Sequence, residues 1–185
     1  MYPTQHQVND YIVPTPWPSV NEELAGGLPR GRSSLLASPE PATLAAIDRA
    51  FRAQPYRVVG VSFSPFKVPG YWFPGPWMTA RKIQDALRIP CDLLVIEGLE
   101  WLNSRAWQRA HVGGDACRIV NAFGLVGTNA HVLVLWRGPP HDLFINRFDY
   151  RWTAQASAGA TRLLLEQIPE GWSNKAELTN KTFWV

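Results

Sequence analysis

Apolar positions follow two periods along this chain. Leu44, Ile47 and Phe51 recur at helical spacing, while Asp48, Arg49 and Arg52 fall on the opposite side. That pattern predicts a helix over residues 41–52 with one inward face, and Pro41 suits a first turn that needs no N–H. An apolar strand is predicted over residues 33–37, a β-branched one over 56–63, and buried ones over 91–97 and 130–136; the continuous apolar run of 91–97 is the clearest, since a strand covered on both faces has no solvent side to mark with polar residues. Further helices are predicted over 79–89, with Ile83 and Leu87 inward, over 103–112, and over 115–124 behind an Asp115 cap. Ser19, Glu22 and the pair Gly26-Gly27 predict a short helix over 19–24 with a capping box and a glycine stop.

Beyond residue 136 the pattern changes. Segments 142–151, 160–167 and 175–184 alternate, and turn-rich stretches separate them, which predicts antiparallel strands joined by hairpins. Residues 1–19 are punctuated by proline and read as an extended arm. Strand–helix units followed by a β-meander predict an α/β fold with a mainly parallel central sheet, flanking helices and a C-terminal antiparallel β extension. With 185 residues and 46% hydrophobic content, one domain over 1–185 is expected.

One stretch carries a more specific signal. Residues 13–37, Val-Pro-Thr-Pro-Trp-Pro-Ser-Val-Asn-Glu-Glu-Leu-Ala-Gly-Gly-Leu-Pro-Arg-Gly-Arg-Ser-Ser-Leu-Leu-Ala, closely resemble the lead-in to the nucleotide-binding strand of RecA-like ATPases, the group that includes replicative helicases and RadA-type recombinases. The tail, from Gly159 through Gln167 to Gly171, Leu178 and Phe183, resembles the closing hairpin of the same group. In that family a glycine-rich loop ending in Lys-Thr or Lys-Ser comes next after the lead-in. Here the residues are Ser38-Pro39-Glu40-Pro41-Ala42-Thr43-Leu44. They bring no glycine to expose amide donors and no lysine for the β/γ-phosphates, and they place a carboxylate where phosphate charge would lie.

The resemblance makes Ser38, Glu40, Thr43 and Glu97 the remnants of an ATP site. The strand ending at Glu97 resembles the Walker B strand, with a carboxylate one methylene longer than the aspartate expected there. The catalytic glutamate expected after the second strand falls near Ser64-Pro65, and the basic finger residues of the closing hairpin become Glu166-Gln167-Ile168. Phosphoryl transfer depends on positioned positive charge and metal. A pseudo-ATPase is therefore expected, with no catalytic residues, no metal and no cofactor.

Other chemistry is weaker still. Gly60-Val61-Ser62-Phe63-Ser64 nearly spells a nucleophile elbow, but the last glycine is missing and Pro65 blocks the helix that should follow. His111, His131, Cys91 and Cys117 have no compact ligand spacing, so they read as structural residues rather than zinc ligands. The two cysteines read as buried thiols of a reducing compartment. No signal-peptide order opens the chain and no apolar run reaches the ~18 residues a membrane helix needs. A cytoplasmic protein without membrane contact is expected.

Net charge is +3 and the pI about 9.1, a mild excess. Arg81, Lys82, Arg88, Arg105, Arg109 and Arg118 recur on the predicted helices, either as a solvated face or as a surface for the DNA backbone. Residues 65–77, rich in Pro, Gly and aromatics, read as an irregular loop. Phe66, Tyr71, Trp72, Phe73 and Trp77 in it are candidate anchors for a protein partner. The expected function is a catalytically inactive RecA-like regulator or inhibitor, of bacterial, phage or plasmid origin, binding a RecA-fold partner or further copies of itself in DNA metabolism. A DNA-binding accessory protein of replication or recombination is the alternative. A cell-division inhibitor of the SulA kind is the third, on fold analogy alone.

Overall fold

Strand β3 (Ser33–Ser38) lies where the strand order of the main sheet reverses, with β7 (His131–Arg137) on one side and β8 (Tyr150–Ser157) on the other. The computed structural model describes residues 11–64, 66, 68–72, 90–100, 129–140, 146–172 and 174–185. The other strands there are β4 (Val58–Ser62), β5 (Tyr71–Trp72), β6 (Leu93–Glu97), β9 (Ala160–Gln167) and β10 (Lys181–Trp184). Among the described residues the sheet order is β10-β9-β8-β3-β7-β6-β4-β5. The run from β8 to β5 is parallel throughout, and β9 and β10 add antiparallel at one edge. A small second sheet pairs β1 (Ile12–Val13) with β2 (Leu28–Pro29).

The side-chain period of two sorts the apolar runs onto two faces. Leu36, Leu93, Val95, Leu133 and Leu135 join one buried cluster with Leu44, Ile47 and Phe51 of helix α2 (Pro41–Arg52) and Val20 of helix α1 (Pro18–Glu23). Leu35, Ala37, Leu94, Ile96, Val132, Val134 and Trp136 form the cluster on the opposite face. Helix α2 has the bounds and the inward face that its pattern predicts, and Asp48 and Arg52 pair one turn apart on its outer side. Trp17 meets Phe51 edge-on at 5.4 Å, so the lead-in segment is pinned to α2 by an aromatic contact.

The structure departs from the sequence expectations in four places. Helix α1 begins at Pro18 with Trp17 as N-cap and no side-chain cap, so Ser19 does not cap it. The Asn21 side chain instead brackets Thr15, accepting from its N–H at 2.7 Å and donating to its carbonyl at 2.9 Å. In the loop expected to be wholly irregular, Tyr71 and Trp72 form β5, a short edge strand parallel to β4. Strand β8 begins at Tyr150 and runs through Ala154–Gln155–Ala156–Ser157, residues expected in a connection, and it pairs in parallel with β3. The antiparallel extension therefore starts one strand later than predicted. Last, the segment 175–184 is not one strand: Lys175–Leu178 is a short helix, α3, and Asn180 at φ 66° turns the chain into β10. The helices predicted over 79–89, 103–112 and 115–124 lie outside the described residues.

Candidate functional site at the head of helix α2

In open α/β sheets, ligands bind beyond the carboxyl ends of the strands, at the point where strand order reverses. In this chain that point is Ser38, at the end of β3. The connection from β3 to α2 consists of Pro39 and Glu40 alone. A phosphate loop of the Gly-x-x-x-x-Gly-Lys-Ser/Thr kind needs about eight residues, so that several amides can wrap one phosphate. Two residues, one of them proline, cannot form that cradle.

The carboxylate of Glu40 lies at the head of α2. Its Oε2 accepts a hydrogen bond from Thr43 Oγ1 at 2.8 Å and another from the Ala156 N–H at 3.1 Å. The Glu40 N–H donates to the buried Ser38 Oγ at 3.2 Å. Thr43 is buried and spends its hydroxyl on Glu40. Three of the four predicted ATP-site remnants, Ser38, Glu40 and Thr43, thus form one hydrogen-bonded turn, in which a negative side chain meets the positive end of the helix.

The fourth, Glu97, sits at the end of β6 and accepts from Ser62 Oγ of β4 at 2.6 Å. With Asp48, Glu100, Arg137 and Tyr71 it lines a cleft of about 190 Å³ beside α2. Asp48 is held by Arg52, whose guanidinium stacks over the Tyr71 ring at 4.5 Å. Arg137 approaches Glu100 only to 3.9 Å, and Glu100 Oε2 is buried without a hydrogen-bond partner. Burial pushes the Glu100 carboxyl above its ordinary pKa range, with Glu97 adding to this and Arg137 opposing it. Among the described residues three carboxylates line the cleft against Arg137 and the Arg52 guanidinium that holds Asp48, and the net negative charge opposes the entry of a polyphosphate.

The residues at the finger positions are engaged within the chain. Glu166 accepts from Arg151 Nε and Thr153 Oγ1, each at 2.7 Å, Gln167 donates to the Phe148 carbonyl at 3.1 Å, and Ile168 is buried. Ser64, near the expected catalytic glutamate, is also buried and accepts from the Phe66 N–H. His131 belongs to the core, fully buried at the start of β7. Cys91 is a half-buried free thiol that burial, helped by Asp92, pushes up to about 11, which leaves it unreactive at neutral pH.

Of the candidate partner residues, Phe66 is 69% exposed. Tyr71 and Trp72 are half-buried and pack against the two core clusters, one on each face of the sheet edge. Phe73 and Trp77 lie outside the described residues, as do all six DNA-contact candidates, Arg81, Lys82, Arg88, Arg105, Arg109 and Arg118. The sequence reading missed the partner of Glu40, Ala156. Its signal would have been the length of β8, which a turn-like composition concealed. Among the described residues no helix is long and apolar enough to cross a membrane.

Comparison with known proteins places the architecture and little else. No protein family and no curated protein matches the sequence. By shape, the chain is similar to the flagellar accessory protein FlaH from Methanocaldococcus jannaschii. The TM-score is 0.55 at 10% identity, over 82% of this chain and 84% of that one. The chain has a RecA-like α/β fold. As 413 solved chains match it, the fold is too widely shared to name an activity, and function rests on the site.

Proposed function

We propose that this chain is a RecA-like protein without ATPase activity that acts by binding, as a regulator or inhibitor of a RecA-fold partner or of an assembly of its own copies, in DNA metabolism. The observation that carries this reading is the two-residue turn from β3 to α2 with the Glu40 carboxylate over it. A helix head that already holds an anion, with no lysine beside it among the described residues, lacks the positive charge that a triphosphate needs. The acidic cleft beside it works in the same direction, and the residues at the finger positions are used internally. What remains is a surface, and the exposed Phe66, in the connection from β4 to β5, offers an aromatic anchor on it.

Two measurements test the reading. The purified chain should show no ATP turnover above background, and a rate abolished by Glu97→Gln would overturn the proposal. Titration with single- and double-stranded oligonucleotides at two salt concentrations should show no steep salt dependence, whereas a steep slope would favour a DNA-binding accessory protein instead.

A further inference from the structure

Strand β8 is longer than the neighbour it leans on. Its pairing with β3 ends at Ala37↔Thr153, yet β8 continues to Ser157. On its other side the hairpin to β9 closes at Ser157↔Ala160, with Ala156 opposite Thr161. Peptide groups alternate along an antiparallel pair between facing the partner strand and facing away. Next to the closing pair, the Ala156 N–H faces away from β9, toward the side where β3 has already ended. A backbone donor in that position is left to water or to another acceptor, and it finds Glu40 Oε2, 116 residues away in sequence.

We propose that Glu40 is an intramolecular ligand: its carboxylate takes the place of an external anion at the head of α2 and thereby clamps the end of the β8–β9 hairpin to that helix. The same oxygen serves both sides, Thr43 Oγ1 from the helix and Ala156 N–H from the hairpin. The turn is fixed from behind by the bond from the Glu40 N–H to Ser38 Oγ. The contact is autoinhibitory toward free oxyanions, because it fills the helix head with like charge. It also makes the hairpin's position independent of any bound ligand. The inference rests on reading the head of α2 as a former phosphate site, but it is tested separately.

The experiment uses the ¹⁵N-labelled full chain as wild type, Glu40→Ala, Glu40→Gln and, as a control on α3, Glu177→Ala. In Glu40→Ala, amide hydrogen exchange at Ala156 should rise roughly fivefold, as expected for loss of a charge-assisted hydrogen bond at an exposed site. Glu40→Gln keeps an acceptor without the charge and should fall between the two, and Glu177→Ala should match wild type. Sodium formate, a single carboxylate in place of the missing one, should leave the Ala42, Thr43 and Ala156 amides of wild type unmoved, and shift them in Glu40→Ala. Unchanged exchange at Ala156, or no formate response in Glu40→Ala, overturns the inference. ATP turnover by wild type would instead overturn the function proposed above and leave the clamp standing.

Discussion

Ser34 of β3 and His131 of β7 are 97 residues apart in sequence and joined by a hydrogen bond of 2.8 Å in a fully buried site. The other ring nitrogen, Nδ1, lies 2.8 Å from the Pro29 carbonyl. A carbonyl only accepts, so Nδ1 carries the proton and Nε2 accepts from the Ser34 hydroxyl. One neutral imidazole therefore ties the lead-in turn to two adjacent strands, at the end of the sheet opposite Glu40.

That neutral state makes stability depend on pH. Burial lowers the His131 pKa to about 4, against a smaller opposing effect from the Pro29 carbonyl. Between that value and the ordinary histidine range of about 6.5, the unfolded chain binds a proton that the folded chain refuses. Stability is therefore full above about pH 6.5 and declines as pH falls toward 4, by on the order of 3 kcal/mol in all. Asp92 acts in the same direction at lower pH. Desolvation pushes its carboxyl up, but Arg30 and the Arg57 N–H more than offset this and hold it below its ordinary value. Urea unfolding at pH 7, 5.5 and 4.5 checks the claim: His131→Asn should flatten the slope between pH 6.5 and 4.5, and an unaltered slope would remove His131 as its source.

The β8–β9 hairpin turns on Ala158 and Gly159, at φ 42° and 89°. Two-residue loops with both angles positive favour Asn-Gly, because an L-alanine in the left-handed region suffers a Cβ clash that asparagine tolerates better. Ala158→Asn should raise stability by about 0.5–1 kcal/mol, a gain of a few degrees in Tm. A lower Tm on thermal unfolding would show that the turn is not strained at Ala158.

Gly98 and Gly138 provide a matched pair, at φ 75° and 78° after β6 and β7. A Cβ on Gly98 would come within 2.5 Å of the Ser64 backbone nitrogen, while on Gly138 it would meet nothing within 4 Å. Gly138→Ala carries only the backbone penalty, about 1 kcal/mol. Gly98→Ala must in addition push apart the ends of β4 and β6, where the Phe63 N–H donates to the Glu97 carbonyl at 2.9 Å. It should cost at least twice as much, roughly 2–3 kcal/mol. Equal losses for the two variants in denaturant unfolding would refute the close approach.

Strands β3, β4, β6 and β7 and helix α2 were legible because their residues are decided by burial. Leu93 to Ile96 must be apolar on both faces, and Leu44, Ile47 and Phe51 must share one. The anomaly at Ser38–Thr43 was legible too, since a missing lysine and an added carboxylate can be read from the chain alone. What burial does not decide was hidden. The last residues of β8, Gln155–Ala156–Ser157, are exposed and carry no apolar alternation, so their strand conformation comes from pairing with β9 and not from their own pattern. The short β5 is likewise set by its register on Gly60 and Val61. The Glu40–Ala156 contact joins one visible feature to one hidden feature, and no local pattern could announce it.

Exposure separates the aromatic candidates into two kinds, and this decides which substitution can report on a partner. Trp72 pairs in register with Val61 and packs against the second core cluster, and Tyr71 supports the Arg52 guanidinium. Truncating either removes buried area at the sheet edge and should cost about 2 kcal/mol or more of stability, so lost binding would be ambiguous. Phe66 is different, because most of its ring already faces water. Phe66→Ala should leave stability within about 0.5 kcal/mol of wild type while lowering partner affinity at least tenfold, as for an interface hot spot. Sedimentation of the chain alone and with a purified RecA-fold ATPase, paired with urea unfolding, measures both quantities. Retained association in a stable Phe66→Ala variant would move the docking surface away from this edge, whereas a stable variant that no longer associates would place the anchor at Phe66.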